Sequence, residues 1–318
     1  MTLQHEFDFD PTCGYDREAL LRIGPPASPP DFAEFWRDTF AATLSTPLNP
    51  ALQTLDGCDP HSHLFRLDFD TLGGTRIGSW LSVPVDGEVR CGAVVGHGYG
   101  GREGPEPDLP LDGAVALFPC APGFNLSARP DLPDNAQAHV IHDIESRERY
   151  ILRSSTAMIW SAATALLAFY PQVAGRLVYL GGSFGGGLGA LALPWDTRFV
   201  KAHLGVPTFG HHPLRLQCPC VGSAESVRRY YASHPEVLDV LQYYDAATAA
   251  SRIGVPVLVS PALFDPAVPP PGQFAVANAI PDRGLFLLTA GHFDYPTMDS
   301  ETHALRNVQQ RWFSDIVQ

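Results

Sequence analysis

Five residues constrain this chain more than any others: Gly181-Gly182-Ser183-Phe184-Gly185. They follow the apolar run Leu177-Val178-Tyr179-Leu180 and precede Gly187-Leu188-Gly189-Ala190-Leu191-Ala192-Leu193. The apolar run predicts a buried strand, and the stretch after it predicts a helix. Between them the chain must reverse within a residue or two, with a serine at the apex. The flanking glycines suit that turn, because side chains there would hold strand and helix apart. The five-residue pattern is weak alone. Its weight comes from two residues further along the chain.

A serine hydroxyl is a poor nucleophile until an imidazole accepts its proton, and a carboxylate on the other ring nitrogen fixes the tautomer of that imidazole. Candidates for both lie after later apolar runs. Asp265, in Ala262-Leu263-Phe264-Asp265-Pro266, follows Val255-Pro256-Val257-Leu258-Val259-Ser260. His292, in Thr289-Ala290-Gly291-His292-Phe293, follows Leu285-Phe286-Leu287-Leu288. Loops after strands gather at the C-terminal edge of an open parallel sheet, where such sheets place their sites. Asp294 is the rival carboxylate, poorly placed to orient a ring only two residues away, and His303 in the terminal amphipathic segment is the rival base. Attack on an ester creates an oxyanion that needs preorganised donors. The backbone N–H of Phe184 is one candidate and that of Tyr99, in His97-Gly98-Tyr99-Gly100-Gly101, is the other. The latter segment lacks the Gly-Lys-Ser/Thr ending of a phosphate loop.

The rest of the chain supplies the sheet around this turn. Pro25 to Pro30 form a stiff entry segment, and Phe32, Phe35, Trp36 and Phe40 recur at helical spacing after Asp31. Leu64–Phe69 and Arg76–Val83 alternate as strands about a Gly73-Gly74 turn. Cys91–Val95 and Gly113–Pro119 read as strands buried on both faces, Tyr150–Tyr170 as a buried helix, Phe274–Ile280 as a helix, and Gly284–Thr289 as a further strand. This alternation predicts a mainly parallel sheet wrapped by helices on both faces. One domain spanning residues 1–318 is expected, with residues 1–62 as an N-terminal helical and β-hairpin extension.

Composition excludes several partners. A net charge of −13 argues against nucleic acid or an anionic membrane surface. The uncharged stretch Ser154–Tyr170 is marginal for spanning a bilayer and reads better as a core helix. The first ten residues lack the basic-then-apolar pattern of an export signal, so a cytoplasmic protein with reduced thiols is expected despite six cysteines. Neither Cys218-Pro219-Cys220 nor His211-His212 has metal-site spacing, and the histidine pair reads as a surface loop.

Several blocks together resemble the acetyl xylan esterase and cephalosporin C deacetylase family, carbohydrate esterase family 7. They are Phe32–Thr39, Gly74–Pro84, His97–Arg102, Gly181–Leu188, Tyr244–Pro270 and Gly291-His292. The resemblance implies an α/β-hydrolase fold with a Ser183–His292–Asp265 triad and an oxyanion hole from the Tyr99 and Phe184 amides. It also implies removal of acetyl groups from small sugar esters, no cofactor, and a homo-hexamer with an internal cavity that admits short oligosaccharides. Peptidase or thioesterase chemistry on the same triad, and a non-catalytic binding role, are the alternatives. Three positions depart from the family's pattern: Cys120-Ala121-Pro122-Gly123 replaces an Arg-Gly-Gln motif, Phe184 a glutamine, and Phe293 a glutamate. If the missing arginine and glutamate normally pair, their joint loss avoids a lone buried charge, and Cys120–Pro122 is then expected beside Phe293.

Overall fold

The computed structural model describes residues 3–55, 62–85 and 88–317; Cys58 lies outside them. Among these residues ten strands form one sheet: β1 Ala51–Thr54, β2 Ser62–Thr71, β3 Thr75–Ile77, β4 Ser79–Pro84, β5 Cys91–Gly96, β6 Ala114–Pro119, β7 Leu177–Gly182, β8 Phe199–Gly205, β9 Val257–Ser260 and β10 Arg283–Leu285. Their order is β1-β2-β4-β6-β5-β7-β8-β9-β10, with β3 paired to β2. From β6 to β10 neighbours run parallel, whereas β1, β2 and β4 pair antiparallel at the other end.

The seven principal helices are α1 Phe32–Ser45, α2 Ile151–Phe169, α3 Phe184–Ala192, α4 Ala224–Ser233, α5 Ala246–Ala250, α6 Pro270–Ala279 and α7 Met298–Trp312. Alternate residues of the central strands point to opposite faces and enter two cores. Val94, Leu117 and Tyr179 pack in the larger one with Trp36, Trp160 and Leu188 of α1, α2 and α3. Ala93, Val95, Phe118 and Val178 pack in the other with Phe313 and Ile316, just beyond α7. The sheet is therefore covered on both faces, as the parallel pattern requires. The aromatic stripe of α1 is a packing feature. Trp36 is fully buried and donates its indole N–H to the Tyr243 carbonyl at 2.7 Å. Helix α2 is long and apolar enough to cross a membrane, yet 72% of its most apolar window is buried inside the molecule.

Three elements differ from the pattern-based expectation. The strand expected over Arg76–Val83 breaks at Gly78, whose amide turns to the Ser127 hydroxyl at 2.9 Å instead of a strand partner. Strand β10 stops at Leu285, after which the chain runs on beside the β9 segment through Phe286 N–H to Val259 O and Leu288 N–H to Pro261 O, both 2.9 Å, and Leu263 N–H to Leu288 O at 3.0 Å. Strand β8 carries Lys201 and His203 within it, which hides its apolar period. Both are met by partners from elsewhere: Lys201 by the Trp312 carbonyl and Asp315, His203 by Ser260 and Gln309.

Candidate active site

Ser183 sits at the apex between β7 and α3 with φ 53° and ψ −111°. That conformation costs a non-glycine residue about 1–3 kcal/mol, so neighbouring structure must hold it. Its N–H donates to Gly205 O at 2.8 Å, and its carbonyl accepts from Gly187 N–H at 3.0 Å and Thr208 N–H at 3.2 Å. The turn also needs close backbone approach. A Cβ on Gly185 would lie 2.8 Å from the Gly96 carbonyl carbon, so a larger residue would push α3 off β5.

The three residues singled out in the sequence meet here. His292 Nε2 lies 3.1 Å from Ser183 Oγ, and His292 Nδ1 lies 2.9 Å from Asp265 Oδ2. This order requires Nδ1 to carry the proton donated to the carboxylate, leaving Nε2 free to accept one. Asp265 is fully buried beneath the ring, while the His292 side chain keeps 32% exposure. Burial pulls the His292 pKa down, but the hydrogen bond and charge of Asp265 outweigh it, so the net shift is upward from 6.5. Asp294 and His303 are both exposed, and neither joins the array.

Asp265 is the most heavily bonded group of the three. Oδ1 accepts the N–H groups of Ala267 and Val268, each at 2.9 Å. Oδ2 accepts His292 Nδ1–H and the Gln273 amide N–H, also at 2.9 Å. Gln273, from α6, was not singled out in the sequence; a lone glutamine after Pro-Pro-Pro carries no motif signal. The acid and base loops are tied directly, because Gly291 N–H donates to Phe264 O at 2.8 Å. Glu301 anchors the far side of the base loop through Thr289 N–H at 2.8 Å and its hydroxyl at 2.9 Å.

The expected oxyanion donors flank the serine. Phe184 opens α3, and among the described residues neither its N–H nor that of Tyr99 has a protein acceptor. The two rings stack at 3.9 Å between centroids, which fixes the Tyr99 loop against the helix start. His97 braces the same loop. Its Nδ1 meets Gly98 O at 2.6 Å, its Nε2 accepts Ala121 N–H at 2.9 Å, and its carbonyl accepts Gly185 N–H at 2.9 Å. Burial pushes the His97 pKa down to about 4, which keeps it neutral and able to bridge in this way.

One expectation is corrected. His212 is not in a surface loop: it is 1% exposed, its N–H bonds Asp245 at 2.7 Å, and burial lowers its pKa to about 3. The two segments of the paired-loss expectation each have contacts of their own. Ala121 and Pro122 are held by His97 and His139, whereas the Phe293 ring packs on Phe264 at 5.0 Å and Phe7 at 6.0 Å.

Two cavities reach Ser183. One, of about 510 Å³, includes His292, Tyr99, Asn135, Gln137, Thr208 and Ser223 in its wall. The other, of about 560 Å³, is bounded by Arg102, His203, Val206, Arg306 and Gln309. Among the described residues no His, Cys, Asp and Glu cluster is suited to a metal ion, and the five cysteines there are free thiols.

Comparison with known proteins agrees with this architecture. The acetyl xylan esterase (AXE1) family model matches residues 23–290, ending two residues before His292. Acetyl xylan esterase 1 from Thermoanaerobacterium sp. JW/SL YS485 superposes with a TM-score of 0.79 at 20% identity, over 93% of this chain and 99% of its own. The acetyl xylan esterase from Paenibacillus sp. R4 gives 0.79 at 21% identity, over 92% and 99%. An acylaminoacyl peptidase from Pyrococcus horikoshii shares the fold more distantly, with a TM-score of 0.57 at 12% identity over 86% of this chain and 42% of its own. The elbow serine, the two-faced parallel sheet and a family match across most of the chain lead to one assignment: this protein belongs to the acetyl xylan esterase family, carboxylic-ester hydrolases of the α/β-hydrolase fold.

Proposed function

We propose that the chain removes acetyl groups from small, hydroxyl-rich esters such as acetylated oligosaccharides, through a Ser183 acyl-enzyme. The observation that carries this reading is the Ser183–His292–Asp265 array opening on the 510 Å³ cavity. Asn135, Gln137, Thr208 and Ser223 offer amides and hydroxyls there, groups that suit a neutral polyol better than a charged or long apolar alcohol.

In this scheme Ser183 Oγ attacks the acetyl carbonyl carbon while His292 Nε2 takes its proton. The Tyr99 and Phe184 amides hold the oxyanion, and the proton passes to the departing alcohol oxygen as the carbon–oxygen bond breaks. Water then attacks the acyl-enzyme with the same histidine as base, releasing acetate. Asp265 orients the ring and stabilises the imidazolium. A non-catalytic role would call for these groups to be out of hydrogen-bonding order, and they are in order.

The test is hydrolysis of p-nitrophenyl acetate, butyrate and octanoate, followed by acetate release from acetylated xylo-oligosaccharides. Turnover should decline with acyl length and fall at least ~10³-fold in Ser183→Ala. Full activity in that variant would remove Ser183 from the reaction. A cytoplasmic homo-hexamer belongs to the same proposal, supported by the family membership and the free thiols. A solution mass near that of one 34.5 kDa chain would remove the hexamer.

A further inference from the structure

The strongest unassigned feature is a neutral amide buried against the triad acid. Gln273 is fully buried on α6, and its side chain bridges the loop that carries Asp265. Its Oε1 accepts Ala262 N–H at 2.8 Å, three residues before Asp265. Its Nε2 donates to Val268 O at 2.7 Å, three residues after, and to Asp265 Oδ2 at 2.9 Å. One amide therefore spans both shoulders of the loop and touches the acid between them.

We propose that Gln273 is a positioning residue of the esterase reaction, setting both the place of Asp265 and the share of its charge that reaches His292. The inference rests on the Ser183–His292–Asp265 reading. Oδ2 is the oxygen shared by Gln273 and His292, so the amide competes with the imidazole for the same negative charge. Oδ1 is occupied by two backbone N–H groups and cannot take over. With Gln273 present, Asp265 is held by four donors and its bond to the ring is moderated. Without it, three donors remain, Oδ2 is placed less precisely, and more of its charge is left for the imidazolium. The first effect lowers turnover. The second raises the pH at which His292 loses its proton, so the acid limb of the rate profile moves to higher pH.

Gln273→Met keeps the volume and removes the donor. It should lower kcat about 10- to 100-fold with KM changed little, and move the acid limb of kcat/KM upward by about half a pH unit or more. Gln273→Glu keeps the shape and carries the test should the methionine variant not fold. Protonated, its carboxyl can still donate to Oδ2. Ionised, it faces a second carboxylate, so a falling alkaline limb should appear where wild type has a plateau. Thermal melting and a Ser183→Ala control accompany both. If either variant lowers the melting temperature but keeps the wild-type profile and kcat, Gln273 is merely structural and the proposal is overturned. The Ser183→Ala result bears only on the triad reading, so the two failures are distinguishable.

Discussion

The His292 loop approaches the acid so closely that residue 291 has no room for a side chain. A Cβ on Gly291 would collide with Asp265 Oδ2, the atom that accepts the His292 Nδ1–H hydrogen bond. Gly291→Ala must move either the ring or the carboxylate, and displacements near 1 Å in a site of this kind cost about 100-fold. We expect kcat/KM for p-nitrophenyl acetate to fall by about that factor, with far-UV circular dichroism unchanged. Wild-type activity in the folded variant would show that the two loops are not held as described. Sequence pattern placed Ser183, Asp265 and His292 because each follows an apolar run, a signal that needs no long-range information. It could not reveal Gln273 or the role of Gly291, because each acts through atoms brought alongside only by folding.

At the scale of elements, the N-terminal segment is part of the site's support although the family match begins only at residue 23. Pro11 O accepts Asp265 N–H at 3.3 Å. The rings of His5 and Phe7 pack on Phe264 and Phe293, the neighbours of the acid and the base. Phe7→Ala should therefore lower Tm by about 2–5 °C, the effect of losing a half-buried ring in a protein of this size. It should also lower kcat several-fold by loosening both loops. A Tm shift with unchanged kcat, read from a melting curve beside steady-state kinetics, would confine the segment to stability. Strands β5, β6, β7 and β9 were legible because a sheet buried on both faces produces continuous apolar runs. Strand β8 was not, since its Lys201 and His203 find their partners 111, 114, 57 and 106 residues away. Helix α4 is amphipathic but mostly polar, with only Ala224 and Val227 buried, and α5 is all alanine and threonine.

At the scale of the whole molecule, four histidines among the described residues are held neutral in the interior. Burial holds His97, His139 and His203 near pKa 4 and His212 near 3, against 6.5 for the free side chain. Below pH 6.5 the unfolded chain binds protons that the folded one refuses, so their stabilisation is complete above 6.5 and drains away as pH falls towards 4. His292 works in the opposite sense: its folded pKa is raised, so its contribution is present below 6.5 and lost as pH climbs through the folded value. Four groups outweigh one. Urea denaturation should show stability falling by on the order of 1–2 kcal/mol per buried histidine between pH 7 and pH 5. A midpoint unchanged over that interval would mean the four rings are hydrated or already protonated in the native state.

The sequence by itself determined the two-faced parallel sheet, the serine at its sharp turn, and the chain order of serine, acid and base. Those features rest on local periodicity and on turn residues, whose physics is complete within a few neighbours. Only the tertiary structure decided which donors saturate Asp265, that an N-terminal aromatic group backs the triad loops, and that His212 is interior. Each of these depends on contacts between segments distant in the chain, where side-chain chemistry is read by a partner that sequence spacing does not announce.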